Sequence, residues 1–153
     1  MERGQVVKIL DFYKTIEKNI RFNKRILSDL EEVYNPIQSS GIKDNNLHSS
    51  SSPTEKVALE ISDDVSNRIK NIKDENMKLA TLKAEVLKEI SCLNYNHKVI
   101  IFEFYLNNVK WVQISKQLNY SVRQCKNIRD GAIEILKDKF ERNKVINTFD
   151  VPA

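Results

Sequence analysis

Hydrophobic side chains recur at alternating steps of three and four residues along two stretches of the first 94 residues. This spacing places them on one face of an α-helix, as in the seam between paired helices. The first seam comprises Val6, Ile9, Tyr13, Ile16, Ile20, Asn23, Leu27, Leu30 and Tyr34, and it is widened by Leu10, Phe12, Ile26 and Val33. The second comprises Val57, Ile61, Val65, Ile69, Ile72, Asn76, Leu79, Leu82, Val86, Ile90 and Leu93. The pattern predicts two long helices.

Between these stretches, residues 35–53 are rich in Ser, Asn, Gly and Pro, and no hydrophobic period persists. We expect a loop there, which joins the two helices into a hairpin over residues 1–94. Each seam contains one asparagine, Asn23 and Asn76. Either the two amides pair inside the hairpin and fix its register, or each lies partly exposed.

Shorter hydrophobic periods fill residues 95–144. They predict a helix over about 97–106 capped by Asn96, a helix over about 109–118, a turn, and a third helix that begins at Ser121. A helix-turn-helix needs a small residue in its first helix, a turn residue that tolerates positive φ, and a buried apolar residue in its second helix. Ser115, Asn119 and Cys125 meet these needs. Residues 145–153 are expected to fray.

The predicted fold is therefore all-α, with a long N-terminal helical hairpin followed by a C-terminal tri-helical helix-turn-helix module. Composition agrees with this fold class, because three Gly and three Pro in 153 residues are too few for the turns of a β-sandwich or an α/β enzyme. The net charge is +4, but residues 95–149 alone carry ten Lys and Arg against five Asp and Glu. A polyanionic partner should therefore bind the C-terminal third.

Several classes of protein are disfavoured by what the sequence lacks. The longest run of aliphatic or aromatic residues is only Val99–Phe102, and no signal peptide follows Met1. Cys92 and Cys125 are far apart and have no Cys or His at ligand spacing, which favours buried thiols in a reducing cytoplasm. No glycine-rich phosphate loop or nucleophile beside a general base occurs. We expect a cytoplasmic protein that is not an enzyme and has no cofactor, no metal and no contact with a membrane.

The third helix of the C-terminal module carries the candidate chemistry. Its buried face is predicted from Cys125, Ile128, Ala132 and Leu136, and Arg123, Asn127 and Asp130 point the other way. Because Arg pairs with guanine edges and Gln or Asn with adenine, we predict base reading by Arg123, Gln124 and Asn127. Predicted phosphate contacts are Lys110, Lys116, Ser121, Lys126 and Arg129. The alternative is a solvated charged face. Trp111 and Cys125 are expected to be core residues.

A family resemblance accompanies these residues. Phe104–Ser115, Leu118–Ser121, and Ala132 with Ile133 and Leu136 resemble the region-four helix-turn-helix of bacterial sigma factors. They are more closely similar to phage late-gene transcription regulators of the ArpU/RinA type, which also place a long helical segment and a Ser-rich loop ending in Pro-Thr before such a module. The resemblance implies a DNA-binding activator from a phage or mobile element, acting on the nucleoid of a bacterial host. Departures are Asn108, where the pattern often has Gly, and Ser115, where it has Ala.

Several functions remain compatible with this pattern. The leading hypothesis is a sequence-specific transcription regulator that inserts the helix starting at Ser121 into the major groove of double-stranded DNA. Residues 1–94 then contact RNA polymerase or form a homodimer. The alternatives are a packaging protein of the terminase small-subunit type, a sigma-like factor, and a coiled-coil adaptor without a nucleic-acid partner.

Overall fold

The computed structural model describes the backbone of residues 1–34 and 53–153, and the side chains of residues 1–33 and 63–153. All regular structure in these ranges is helical, which confirms the all-α prediction. The helices are α1 (Arg3–Tyr34), α2 (Pro53–Ser91), α3 (Tyr95–Ile100), α4 (Trp111–Leu118), α5 (Val122–Arg142) and α6 (Lys144–Thr148), with a π-helical segment (Ile101–Leu106) continuing α3. Except for Pro53, which begins α2, the expected loop over residues 35–53 lies outside the described residues.

The chain divides into two compact units, and the division differs from the expected boundary between residues 94 and 95. The composite unit combines Met1–Lys18 with Lys78–Ala153, and the helix-pair unit comprises Asn19–Met77. The division differs because apolar side chains from one end of each long helix are buried in the composite unit. Val6, Leu10 and Ile16 of α1 are fully buried, as are Leu82 and Ile90 of α2. One end of each long helix therefore belongs to the same unit as the helix-turn-helix.

The helix-pair unit is held by polar as well as apolar contacts. The Asn23 side-chain amide donates a hydrogen bond of 2.9 Å to the Asn76 amide oxygen, and both side chains are partly buried. Lys73 and Glu31 form an exposed ion pair at 4.0 Å. The two asparagines thus satisfy each other without being sequestered from water, a state that combines features of both expectations.

Part of the segment that was expected to fray, residues 145–153, is regular structure, because α6 continues to Thr148. The Asn143 side chain caps α6 by accepting hydrogen bonds from the backbone N–H groups of Val145 (3.1 Å) and Ile146 (3.3 Å). Ile146 is buried, and the Phe149 ring lies 5.6 Å from the Phe12 ring between centroids. A short helix of low intrinsic stability is therefore retained by its cap and by burial of one side.

Asn143 also fastens this end of the chain to α2. Its amide nitrogen donates to Glu85 at 2.7 Å and to Glu89 at 2.9 Å. The hydrogen bond from Asn143 is the main reason that the pKa of Glu85 lies below its ordinary value, and a smaller effect of burial opposes it. One side chain thus caps a helix and links two elements far apart in sequence.

Candidate nucleic-acid interface

The turn between α4 and α5 adopts the geometry that the sequence predicts. Asn119 has φ 56° and ψ 36°, in the left-handed region, and its backbone N–H donates to the Ser115 carbonyl. The Tyr120 N–H donates to the same carbonyl at 3.2 Å. Asn tolerates this conformation better than most residues with a side chain. The left-handed residue ends α4 and lets the chain reach Ser121, the N-cap of α5, two residues later.

Ser115 does more than supply a small side chain. Its hydroxyl donates a hydrogen bond to the Tyr120 carbonyl, which closes the turn from the α4 side. Asn108, the second departure from the resemblance, has φ 55° in the loop before α4. Both departures from the family pattern therefore suit their positions, because Ser115 adds a hydrogen bond and Asn108 accepts a positive φ. The role of the Ser115 hydroxyl was not predicted from the sequence.

A capping box fixes the start of α5. The Ser121 hydroxyl accepts from the Gln124 backbone N–H at 3.1 Å, and the Gln124 side-chain oxygen accepts from the Ser121 N–H at 3.0 Å. This arrangement satisfies two backbone donors at the N-terminus. It also occupies the oxygen that Gln124 needs for bidentate pairing with adenine, where one atom accepts and the other donates. Gln124 is thus placed as a capping residue, and its amide nitrogen alone is free to reach outward.

The buried face of the helix-turn-helix follows the predicted pattern. Ile100, Ile114 and Cys125 are fully buried and form a cluster, against which Phe104, Trp111, Leu118 and Ile128 pack. The Trp111 and Phe104 rings are stacked with centroids 4.2 Å apart. The core positions of Trp111 and Cys125 are therefore confirmed. On α4, Ile114 is the core residue, and Val112 is exposed.

Cys125 is a core thiol in its chemistry as well as its position. Burial raises its pKa above the ordinary value, and a backbone hydrogen bond opposes this only in part. Because the thiolate is the reactive form, a raised pKa lowers reactivity near neutral pH. The other cysteine, Cys92, is exposed.

The outward face of α5 presents a short cationic surface. Arg123, Lys126 and Asn127 are exposed within its first two turns. None of them makes an ion pair with the described residues. Residues 104–129 contain five Lys or Arg and no Asp or Glu, and the first acidic residue after them is Asp130. A major-groove helix contacts bases chiefly through its N-terminal residues, which is where these side chains lie.

Two further lysines flank this surface in sequence. Lys110 occupies the N-cap position of α4 with an extended backbone, and Lys116 lies in the last turn of α4. Both side chains are exposed and have no ion-pair partner among the described residues. They remain available for phosphate contacts, as Lys126 does.

Arg129 has a different environment from these cations. Its guanidinium lies 5.4 Å from the centre of the Trp111 ring and pairs with Asp130 at 2.9 Å, and its side chain is only 24% exposed. Asp130 also accepts from Arg3 at the start of α1. Because the Asp130 carboxylate and the Trp111 ring already hold the guanidinium, the geometry favours a structural role for Arg129 over the predicted phosphate contact.

These contacts also affect the pKa of Asp130, which lies below its ordinary value. Burial alone raises its pKa, but the hydrogen bond and charge of Arg129, together with the charge and hydrogen bond of Arg3, lower it on balance. Tyr105, which is buried, has a raised pKa mainly because of desolvation, and it is influenced by the charges of the same three residues. The chain Arg3–Asp130–Arg129–Trp111 thus links α1 to both helices of the helix-turn-helix. The sequence gives no sign of the Arg3 contact, which spans 127 positions.

No group of three or more His, Cys, Asp or Glu in the described part of the chain is arranged to hold a metal ion. No described helix has the length and hydropathy needed to cross a membrane. In the comparisons with known proteins, no family model, curated protein or solved structure matches this chain.

Proposed function

We propose that this protein is a sequence-specific DNA-binding transcription regulator that reads the major groove with α5. The observation that supports this most directly is that two opposite faces of α5 have different environments. One face is anchored by Cys125 in the core, and the other presents Arg123, Lys126 and Asn127 from the first two turns. Arg and Asn match guanine and adenine edges in the major groove, and exposed lysines match phosphates.

The residues divide into three roles in this proposal. Arg123 and Asn127 read bases, with a smaller contribution from Gln124 because its side-chain oxygen caps α5. Lys110, Lys116 and Lys126 contact phosphates, and Ser121 offers the N-terminus of α5 to another. Arg129 orients the reading helix through Trp111 and Asp130.

The resemblance to the ArpU/RinA type extends the proposal to activation of phage or mobile-element late genes in a bacterial cytoplasm. RNA polymerase is then the expected protein partner. The role is binding and not catalysis. A packaging protein of the terminase small-subunit type is the competing function, and its expected ring of eight or more chains separates it from a regulator by mass.

Selection of bound duplexes from a random DNA pool, followed by gel-shift titration of the selected site, tests the proposal. Arg123→Ala should weaken the selected site by about 5- to 150-fold, which corresponds to 1–3 kcal/mol for one bidentate base contact. Lys110→Ala should weaken selected and random DNA alike and lower the salt slope by about one.

Arg142→Ala is the matched control for Arg123→Ala. It removes the same exposed side chain from the last turn of the same helix, far from the reading residues. The control should bind the selected site nearly as the parent does. Absence of any enriched sequence, or equal losses from Arg123→Ala and Arg142→Ala, would refute major-groove reading by the start of α5.

A further inference from the structure

A second hydrophobic stripe lies on α1 within the helix-pair unit, apart from the seam that contains Asn23. Phe22 is 61% exposed and Val33 is 70% exposed, and Ile26 between them is half-buried. At about 100° per residue, these three side chains lie within about 40° of one another. Their mean direction is about 100° from that of the seam residues Ile20, Leu27 and Leu30. Among the residues whose side chains the structure describes, the helix pair therefore leaves Phe22 and Val33 largely open to water.

The charges beside the stripe are segregated along the helix. Arg25 borders its first half and Asp29 borders its second half, on the same side of the stripe. Both side chains are exposed, and neither makes an ion pair with the described residues. The stripe thus has a basic half and an acidic half. Two copies of it are therefore complementary in charge when they run in opposite directions.

We propose that this stripe is a homodimer interface in which α1 packs antiparallel against α1 of a second copy. In an isologous interface a residue and its counterpart exchange roles across a two-fold axis. Two complementary pairs share one such axis, because the midpoints of Phe22 and Val33 and of Arg25 and Asp29 both fall between residues 26 and 28. Antiparallel packing buries both apolar ends and pairs each Arg25 with Asp29 of the second copy.

Parallel packing of the same stripe is opposed by the same charges. It sets Arg25 against Arg25 and Asp29 against Asp29 of the second copy, which is repulsive. The inference concerns self-association without DNA, so it stands or fails independently of the proposed function.

Sedimentation equilibrium of the full chain without DNA provides the test, and the expected species is a reversible dimer. Phe22→Glu should weaken dimerisation at least about tenfold, because a charge then replaces an apolar contact twice per dimer. Circular dichroism should show unchanged helix content, since Phe22 is mostly exposed. A monomer at all concentrations, a mass above that of a dimer, or a Phe22→Glu dimer as strong as the parent would overturn the proposal.

Charge exchange between two chains tests the orientation. Arg25→Glu alone and Asp29→Arg alone should each dissociate the dimer, because like charges then meet on both sides of the two-fold axis. An equimolar mixture of the two variants should associate again, since the acidic side chain introduced at position 25 then faces the basic side chain introduced at position 29 of the other chain. Lys24→Glu is the matched control, because Lys24 lies on the opposite side of the helix and should leave the dimer intact. A mixture that associates no better than either variant alone excludes antiparallel pairing.

Discussion

The two compact units are built from the same two long helices, yet they bury their side chains differently. Every fully buried hydrophobic side chain among the described residues lies in the composite unit. In the helix-pair unit, the described hydrophobic seam residues are only partly buried: Ile20, Leu27, Leu30, Val65, Ile69 and Ile72. The difference arises because the side chains of a helix that packs against one partner are covered from one side only. The side chains of a helix within a multi-helix unit are covered from several directions. The same hydrophobic period therefore supports a rigid core in one unit and a weaker pairing in the other.

Matched leucine truncations should give the largest contrast between the units. Leu136→Ala, in the core of the composite unit, should lower the free energy of unfolding by about 2–5 kcal/mol. Leu30→Ala, in the helix-pair unit, should cost about 1 kcal/mol, because its side chain is partly exposed in the parent. Urea denaturation followed by circular dichroism measures both. Equal losses would mean that the two units are equally well packed.

Matched asparagine truncations should give a smaller contrast. Asn143→Ala removes the cap of α6 and the bonds to Glu85 and Glu89, so a loss of about 1–2 kcal/mol is expected. Asn23→Ala removes one partly exposed hydrogen bond and should cost about 0.5–1 kcal/mol. The thermal unfolding midpoints of the two variants show which substitution lowers stability more. A larger loss from Asn23→Ala would show that the asparagine pair, and not the end of the chain, is the stronger polar link.

The smallest expected effect is a pH dependence confined to the composite unit. Because the pKa of Asp130 is lowered in the folded state, its ionised form stabilises the fold above the ordinary Asp pKa of about 3.9. That contribution should decline as the pH falls from about 5 and vanish below the lowered pKa. Asp130→Asn should therefore be less stable than the parent at pH 7, and the difference should shrink in urea titrations as the pH falls below the ordinary Asp pKa.

Glu31→Gln in the helix-pair unit is the comparison for Asp130→Asn. Its exposed pair with Lys73 at 4.0 Å should contribute little at pH 7, so the substitution should leave stability nearly unchanged there. If Asp130→Asn is as harmless at pH 7 as Glu31→Gln, the link between Arg3, Asp130 and Arg129 adds nothing to the fold.

Much of the fold was readable from local patterns. Alternating steps of three and four predicted the long helices, and Asn119 predicted the left-handed turn, because both signals depend on neighbours in sequence. The composite unit was not predicted, since a seam has the same spacing whether one helix or several cover it. The available signal was Leu10, which widens the first seam and is fully buried. A wider apolar face indicates more than one neighbour.

The candidate interface was predictable to a similar extent. The exposure of Arg123, Lys126 and Asn127 follows from helical period once Cys125 is assigned to the core. The capping role of Gln124 could also have been predicted, because Ser followed three residues later by Gln is the signature of a capping box. The environment of Arg129 was not, because it depends on Asp130 being held by Arg3 from the other end of the chain.

The discontinuity of the composite unit has a consequence for biosynthesis. Residues 1–18 leave the ribosome well before the partners that bury Val6, Leu10 and Ile16, because those partners belong to a segment that begins 60 residues later, at Lys78. Loop closure over such separations is slow compared with helix formation. The nascent chain therefore exposes an apolar helix until the C-terminal helices have emerged. A premature stop within the final turns of α5 also removes α6 and Phe149, and so deprives the first helix of the ring that contacts Phe12.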